Sequence, residues 1–167
     1  AFAGCSGLTG SLVIPNSVVS IGGGAFGGCS GFTGELVVPA SITIIEGSVF
    51  QGCSGFTGSL VIPDYITSVG GYAFNGCTGL NGELTIGSAV EFIGEYAFDN
   101  TGFSTMNYNA ANCELGYYYP YGNTDWRPAF HNFPLTTLNF GEGVESLSFR
   151  AFRDLTTLTG TLTHQHL

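Results

Sequence analysis

Cysteine is the most reactive residue type in this 167-residue chain, and four of its five cysteines keep one interval: Cys5, Cys29, Cys53 and Cys77 stand 24 apart. Thiolates can hold a soft metal or close a disulfide, and both need convergent side chains. Metal sites favour close pairs such as CxxC, whereas these thiols come singly. If each 24-residue segment is one rung of a stack, neighbouring rungs lie about 4.8 Å apart with parallel Cβ vectors. A disulfide wants Cβ atoms about 3.8 Å apart. The spacing therefore predicts buried free thiols in a core column and no metal site. Cys113 breaks the interval and has no obvious partner.

Other reactive groups are sparse. His164 and His166 form HQH near the end of the chain, either a metal pair on one strand face or a frayed end. Glu114 and Asp125 could pair as glycosidase carboxylates, but two acids in a loop are a thin basis for that chemistry. No Gly-x-Ser-x-Gly elbow is present, and no histidine stands near a periodic serine or carboxylate. A non-catalytic protein without catalytic residues or cofactor is expected. What remains is contact chemistry. Tyr117, Tyr118, Tyr119, Tyr121 and Trp126 crowd one segment beside Pro120 and Arg127. Aromatic rings on a loop suit a protein hot spot or a sugar-stacking platform. The other reading is a loop that folds back and uses the rings as its own core. Loops accept insertions where function selects them.

These residues are positioned by a repeat. Phe2, Phe26, Phe50, Phe74 and Phe98 share the 24-residue interval, and a period in the 20–50 range marks a solenoid of stacked supersecondary units. A single unit cannot bury its apolar face, so only the array is stable. In the second turn the recurring apolar positions are Phe26, Cys29, Phe32, Leu36, Val38, Ile42 and Ile45. Leu36, Val37 and Val38 alternate as in a strand. Pro39 ends it, as Pro15 and Pro63 end its counterparts, because proline cannot donate to a ladder. Ile42 to Ile45 reads as a second short extended piece. The AFxGC segment has helical spacing and predicts one helical or 3-10 turn. Gly7, Gly31, Gly55 and Gly79 fall where that turn ends, and Gly10, Gly34, Gly58 and Gly82 where the next strand begins, so positive φ is expected at both sets.

The register continues through Leu138, Phe140, Val144, Leu147, Ala151 and Phe152, then Leu155, Leu158 and Leu162. Phe98 to Phe130 spans 32 residues, eight more than one turn. The excess predicts an insertion, NAANCELGYYYPYGNTDWRP, after a strand at Met106–Tyr108. The whole reads as one solenoid domain, 1–167: regular turns over 1–98, an irregular turn over 99–130 and C-terminal turns over 131–167. Beginning and ending inside repeats predicts a piece of a longer protein.

Composition narrows the partners. Charged residues are 9%, the net charge is −9, lysine is absent, and the three arginines are Arg127, Arg150 and Arg153. Such a chain repels phosphate backbones and anionic lipid, which excludes nucleic-acid binding, while a basic protein or a neutral glycan is tolerated. No apolar run reaches the length of a membrane span. Along the strands the outward residues are Ser11 and Val13, Glu35 and Val37, Ser59 and Val61, Glu83 and Thr85, Thr105 and Asn107, Thr137 and Asn139. They are either an ordinary solvated sheet face or a ligand surface, an apolar stripe with a polar rim.

The recurring pattern Leu-x-Ile-Pro-x-x-Val-x-x-Ile-Gly-x-x-Ala-Phe-x-x-Cys resembles the BspA-like leucine-rich repeats of bacterial surface proteins, notably of gut and oral Bacteroides-type bacteria. Residues 12–29 carry it nearly complete (LVIPNSVVSIGGGAFGGC), as do 36–53 and 60–77, and weaker copies reach 162. The stretch Asn107-Tyr-Asn-Ala-Ala-Asn-Cys113 also looks like an irregular turn that recurs in these proteins. The resemblance implies a curved solenoid at the cell surface or outside the cell, with adhesion to host or matrix proteins as the usual role. It implies no catalytic residues.

The expected fold is thus a right-handed leucine-rich-repeat solenoid of the α/β horseshoe type, about six turns plus fragments, mostly β with short helical or 3-10 turns. Its parallel sheet would line the concave side that solenoids commonly use for binding. The expected function is a monomeric, non-catalytic protein-binding or adhesion module. Its ligand-binding residues would be Val13, Glu35, Val37, Ser59, Val61, Glu83, Thr85, Asn107 and Asn139 on the sheet, with Tyr117, Tyr118, Tyr119, Tyr121 and Trp126 on the insertion. A spacer without a ligand and a glycan-binding module are the alternatives.

Overall fold

The computed structural model describes residues 1–116, 128–147, 152, 155–159 and 163–164. Alternating apolar residues form short strands, and the third, fourth and fifth turns each contribute one strand to each of two parallel sheets; the strands expected at Leu36–Val38 and its first-turn counterpart are not formed, and the first two turns pair there only through the bridges Gly10 to Phe32 and Gly34 to Phe56. The first sheet joins β1 (Ile44–Ile45), β3 (Ser68–Val69), β5 (Phe92–Ile93) and β7 (Glu114–Leu115). The second joins β2 (Leu60–Ile62), β4 (Glu83–Ile86), β6 (Thr105–Tyr108), β8 (Thr137–Phe140) and β9 (Thr163–His164). Register follows the repeat: Leu60 faces Leu84, then Met106, then Leu138. The corner between the sheets is closed by a turn in which Ile66 N–H donates to the Pro63 carbonyl.

The second extended piece is therefore a full sheet rather than an appendage. The AFxGC segment, expected to be helical, contains no helix. In the third turn the amides of Gln51 and Cys53 bond within the turn, to Ser48 and Phe50, while those of Ser48, Phe50 and Gly52 reach the next turn at Gly71, Ala73 and Asn75. A helix would turn every amide inward. Here alternate amides are drawn outward by the neighbouring rung, which makes this segment a third wall of rung-to-rung hydrogen bonds.

Side chains from all three walls meet in one core that includes Leu60, Ile62, Ile66, Val69, Phe74, Cys77 and Leu80, all fully buried. The periodic phenylalanines stack in register: Phe50 to Phe74 is 5.7 Å between ring centroids and Phe74 to Phe98 is 5.3 Å. Leu147, expected inside, is exposed.

Two glycine sets behave differently from expectation. Gly10, Gly34 and Gly58 do take positive φ, but Gly31, Gly55 and Gly79 do not, and the left-handed positions of the turn are Gly4, Gly28, Gly52 and Gly76 instead. Gly31, Gly55 and Gly79 are glycine because a Cβ there would strike the carbonyls of the preceding turn. Gly82 is likewise a matter of space, against Ser59.

The insertion also begins later than expected. Residues 109–116 keep the solenoid path, with Leu115 in register against Ile93. Phe98 to Met106 is eight residues where Phe74 to Leu84 is ten, and Leu115 to Phe130 is 15 where Ile93 to Phe98 is five. The apparent eight-residue excess is a ten-residue insertion after Leu115 combined with a two-residue shortening after the phenylalanine.

Candidate functional site

The outward column runs Val13, Val37, Val61, Thr85, Asn107, Asn139, of which the last four are strand positions of the second sheet paired in register and the first two continue the column beyond it. Its two halves differ. Val13, Val37 and Val61 are 81%, 68% and 54% exposed. Beside the valines lies a groove of about 470 Å³ lined by Val13, Asn16, Val37, Pro39, Ala40 and Tyr65. Tyr65 hydroxyl donates to the Val38 carbonyl at 2.9 Å, which fixes the ring as a wall. Glu35, Ser59 and Glu83 stand exposed along the strand, as does Asp64 at the corner. Backbone N–H and hydroxyl of Ser88 hold the Asp64 carboxyl below its ordinary range, so it stays charged.

The other half is a polar ladder. Asn139 Nδ2 donates to Asn107 Oδ1 at 2.8 Å, Asn107 Nδ2 donates to Glu83 Oε1, and Glu83 N–H donates to Ser59 Oγ at 3.0 Å. Much of its hydrogen-bonding capacity is therefore used between neighbouring strands, whereas the valines offer bare apolar surface.

A second polar column, missed from sequence, lies on the third wall. Asp99 is 8% exposed, and its Oδ2 accepts from Asn75 Nδ2 and Asn100 Nδ2, each at 2.9 Å, while Oδ1 faces His131 Nδ1 at 3.0 Å. The signal was present: Asn75, Asp99 and His131 each follow an Ala-Phe pair. The larger hollow of about 540 Å³ near Phe2 and Leu12 is walled by the interior columns, so it is an exposed end of the core.

Comparison with protein families matches residues 1–125 to the BspA type leucine rich repeat region, in six copies. The chain belongs to this family. Repeats of the BspA type are typically non-catalytic and usually belong to surface-associated proteins. No curated protein and no solved structure matches the chain. No helix among the described residues is long and apolar enough to cross a membrane.

Within this BspA-type repeat the thiol column has a further role. Cys29, Cys53 and Cys77 are buried and outside any disulfide, but Cys5 is exposed. Cys113, expected in the insertion, is also buried in the core. Each buried periodic thiol donates to the carbonyl of the phenylalanine 27 residues earlier: Cys29 to Phe2, Cys53 to Phe26 and Cys77 to Phe50, all at 3.0 Å. The column thus ties rungs together as well as filling space.

Burial pushes the Cys53 and Cys113 thiols up to about 11 and raises Cys77 and the Tyr108 hydroxyl as well. A thiol that ionises at 9.0 when unfolded and about 11 when folded keeps its proton longer in the native state. Its stabilising contribution is whole below pH 9 and declines as pH rises toward 11. Chemical denaturation at pH 8 and pH 10.5 should show the lower stability at the higher pH, and Cys53→Ala should shrink that difference. Native protein at pH 8 should react with a thiol reagent only at Cys5 on the fast timescale, and denatured protein at all five cysteines.

Several predicted residues lie outside the described set: Tyr117, Tyr118, Tyr119, Pro120, Tyr121, Asp125, Trp126, Arg127, Ala151, Leu162 and His166.

Proposed function

We propose that this repeat is a non-catalytic binding module of a bacterial surface or secreted protein, and that it engages a host or matrix protein through the aliphatic half of this outward column. The observation that carries the reading is the exposed column Val13, Val37 and Val61 beside a rigid groove. Apolar patches rimmed by polar groups are the surfaces that proteins bury against partners. Glu35, Asp64 and Glu83 flank the valines, and residues 1–116 hold no lysine or arginine. The complementary partner segment therefore carries aliphatic side chains together with Lys or Arg.

The test is binding of the full chain to a panel of immobilised matrix and epithelial surface proteins. Val37→Glu and Val61→Glu change side chains that are mostly in water, so the melting temperature should hold. A carboxylate buried at the centre of the interface, where an aliphatic side chain sat, weakens binding by about tenfold or more. An empty panel, or capture unaffected by both changes, defeats the proposal and leaves a spacer.

A further inference from the structure

The groove beside the valines coincides with a break in the rung-to-rung ladder. Among the described residues, no backbone hydrogen bond joins residues 11–14 to 35–38, or residues 35–38 to 59–62. From β2 onward the same wall is a regular parallel ladder. The main chain of Val13 and Val37, both exposed, therefore has no rung partner where these residues line the groove. Folded chains seldom leave backbone donors and acceptors unmet, so water or a ligand serves them here. Asn16, also on the groove wall, makes no hydrogen bond to another described residue.

The open backbone restricts what can lie here. An α-helix meets its main-chain needs internally and would leave these groups and Asn16 unserved. An added β-strand would have to enter between two rungs. Thr33 N–H donates to the Gly10 carbonyl and Thr57 N–H to the Gly34 carbonyl, both at 2.9 Å, which keeps the turns one strand apart. A polyproline II segment meets both limits, since it lies across the surface and its carbonyls have no partners of their own. It repeats every three residues, about 9.3 Å. Alternate rungs, such as those of Val13 and Val61, are about 9.6 Å apart. Tyr65 adds the aromatic wall that such segments dock against. Its ring is 36% exposed and its hydroxyl is tied to the Val38 carbonyl, so the wall stands before a ligand arrives.

We infer that the occupant of this groove is a proline-rich segment in the polyproline II conformation, a reading that rests on the valine column as the binding face. Proline rings pack between Tyr65 and the valines. The segment's carbonyls accept from Asn16 Nδ2 and from the open amides of the first two turns. Glu35 and Asp64 flank the valines, and residues 1–116 hold no lysine or arginine, so one end of the segment carries Lys or Arg.

The experiment titrates the full chain with synthetic peptides of equal length, each ending in arginine: one proline-rich, one of alternating valine and threonine, and one helix-forming. Binding is read by calorimetry and from the NMR methyl signals of Val13, Val37 and Val61. The proline-rich peptide should bind saturably in the micromolar range, and the other two about tenfold more weakly or worse. Glutamine in place of its arginine should weaken it. Tyr65→Ala should lower the affinity by about tenfold or more. If Tyr65→Ala also lowers the melting temperature, Ala40→Gln, which fills the groove from an exposed position, replaces it. The inference is overturned if the proline-rich peptide does not bind, or if either other peptide binds as well. Binding indifferent to the arginine and to the groove variant overturns it too. A matrix protein captured through Val37 and Val61 that the proline-rich peptide does not displace also overturns it, and leaves the valine face standing as a protein-binding surface.

Discussion

Gly55→Ala is expected to destabilise the protein by about 3 kcal/mol, the upper end of over-packing costs, and to lower the melting temperature by about 6–12 °C. A Cβ at Gly55 would stand 2.2 Å from the Phe32 carbonyl oxygen and 2.5 Å from that of Ser30. Both are backbone atoms of the preceding turn, so no side chain can rotate aside. Relief requires the turns to separate, and that stretches the bond from Thr57 N–H to the Gly34 carbonyl, 2.9 Å in the native protein. Gly55 does not adopt positive φ, so the loss is steric and not conformational. Gly7 occupies the equivalent place with open space around it, and Gly7→Ala should change stability by less than about 0.5 kcal/mol. Equal effects at the two sites, measured by urea denaturation, would show that crowding between turns is not the reason for glycine.

Phe74→Ala should cost about 3–5 kcal/mol. Its ring is fully buried and stacks on Phe50 at 5.7 Å and on Phe98 at 5.3 Å, so one truncation opens a cavity shared by three turns. In a solenoid each turn contacts only its neighbours, and the damage divides the array instead of spreading through it. Amide exchange should therefore accelerate most near residues 50–98, and the single denaturation transition should broaden or split. Phe74→Leu keeps much of the apolar volume and forfeits mainly the ring contacts, each of about 0.5–1.5 kcal/mol. A cost for Phe74→Ala below about 1.5 kcal/mol would mean that the core relaxes around the gap.

Much of this architecture was legible because a repeat shows the same physical constraint several times over. Pro63 marked the end of a strand, as expected, although no strand precedes Pro15 or Pro39, and alternation separated Leu60 and Ile62 inside from Val61 outside. The places that misled were those where one pattern serves two geometries. Phe50 and Cys53 are three apart, which fits a helical turn and equally a β-turn. The choice depends on where Phe50 N–H and Gly52 N–H point, and that is decided by the neighbouring rung. The same holds for Gly55, where a glycine read as a backbone need is a need for space. Asp99 shows the limit most clearly. The shared place after Ala-Phe puts Asn75, Asp99 and His131 in one column, but only the folded turns show that both neighbours converge on its carboxylate. The net eight-residue excess around the insertion concealed two opposite changes, because a count cannot say where residues were gained and lost.

The sequence alone determined the stacking. A 24-residue interval of Phe and Cys with prolines and glycines in step has no stable reading other than a solenoid, since each unit buries its apolar face only against another. Only the tertiary structure decided what each outward residue can do. Side chains 24 or 32 residues apart become neighbours across adjacent rungs, and there Asn107 and Asn139 engage one another while the valines remain bare. The period says which residues face out; hydrogen bonding between rungs determines which of them still have surface to offer.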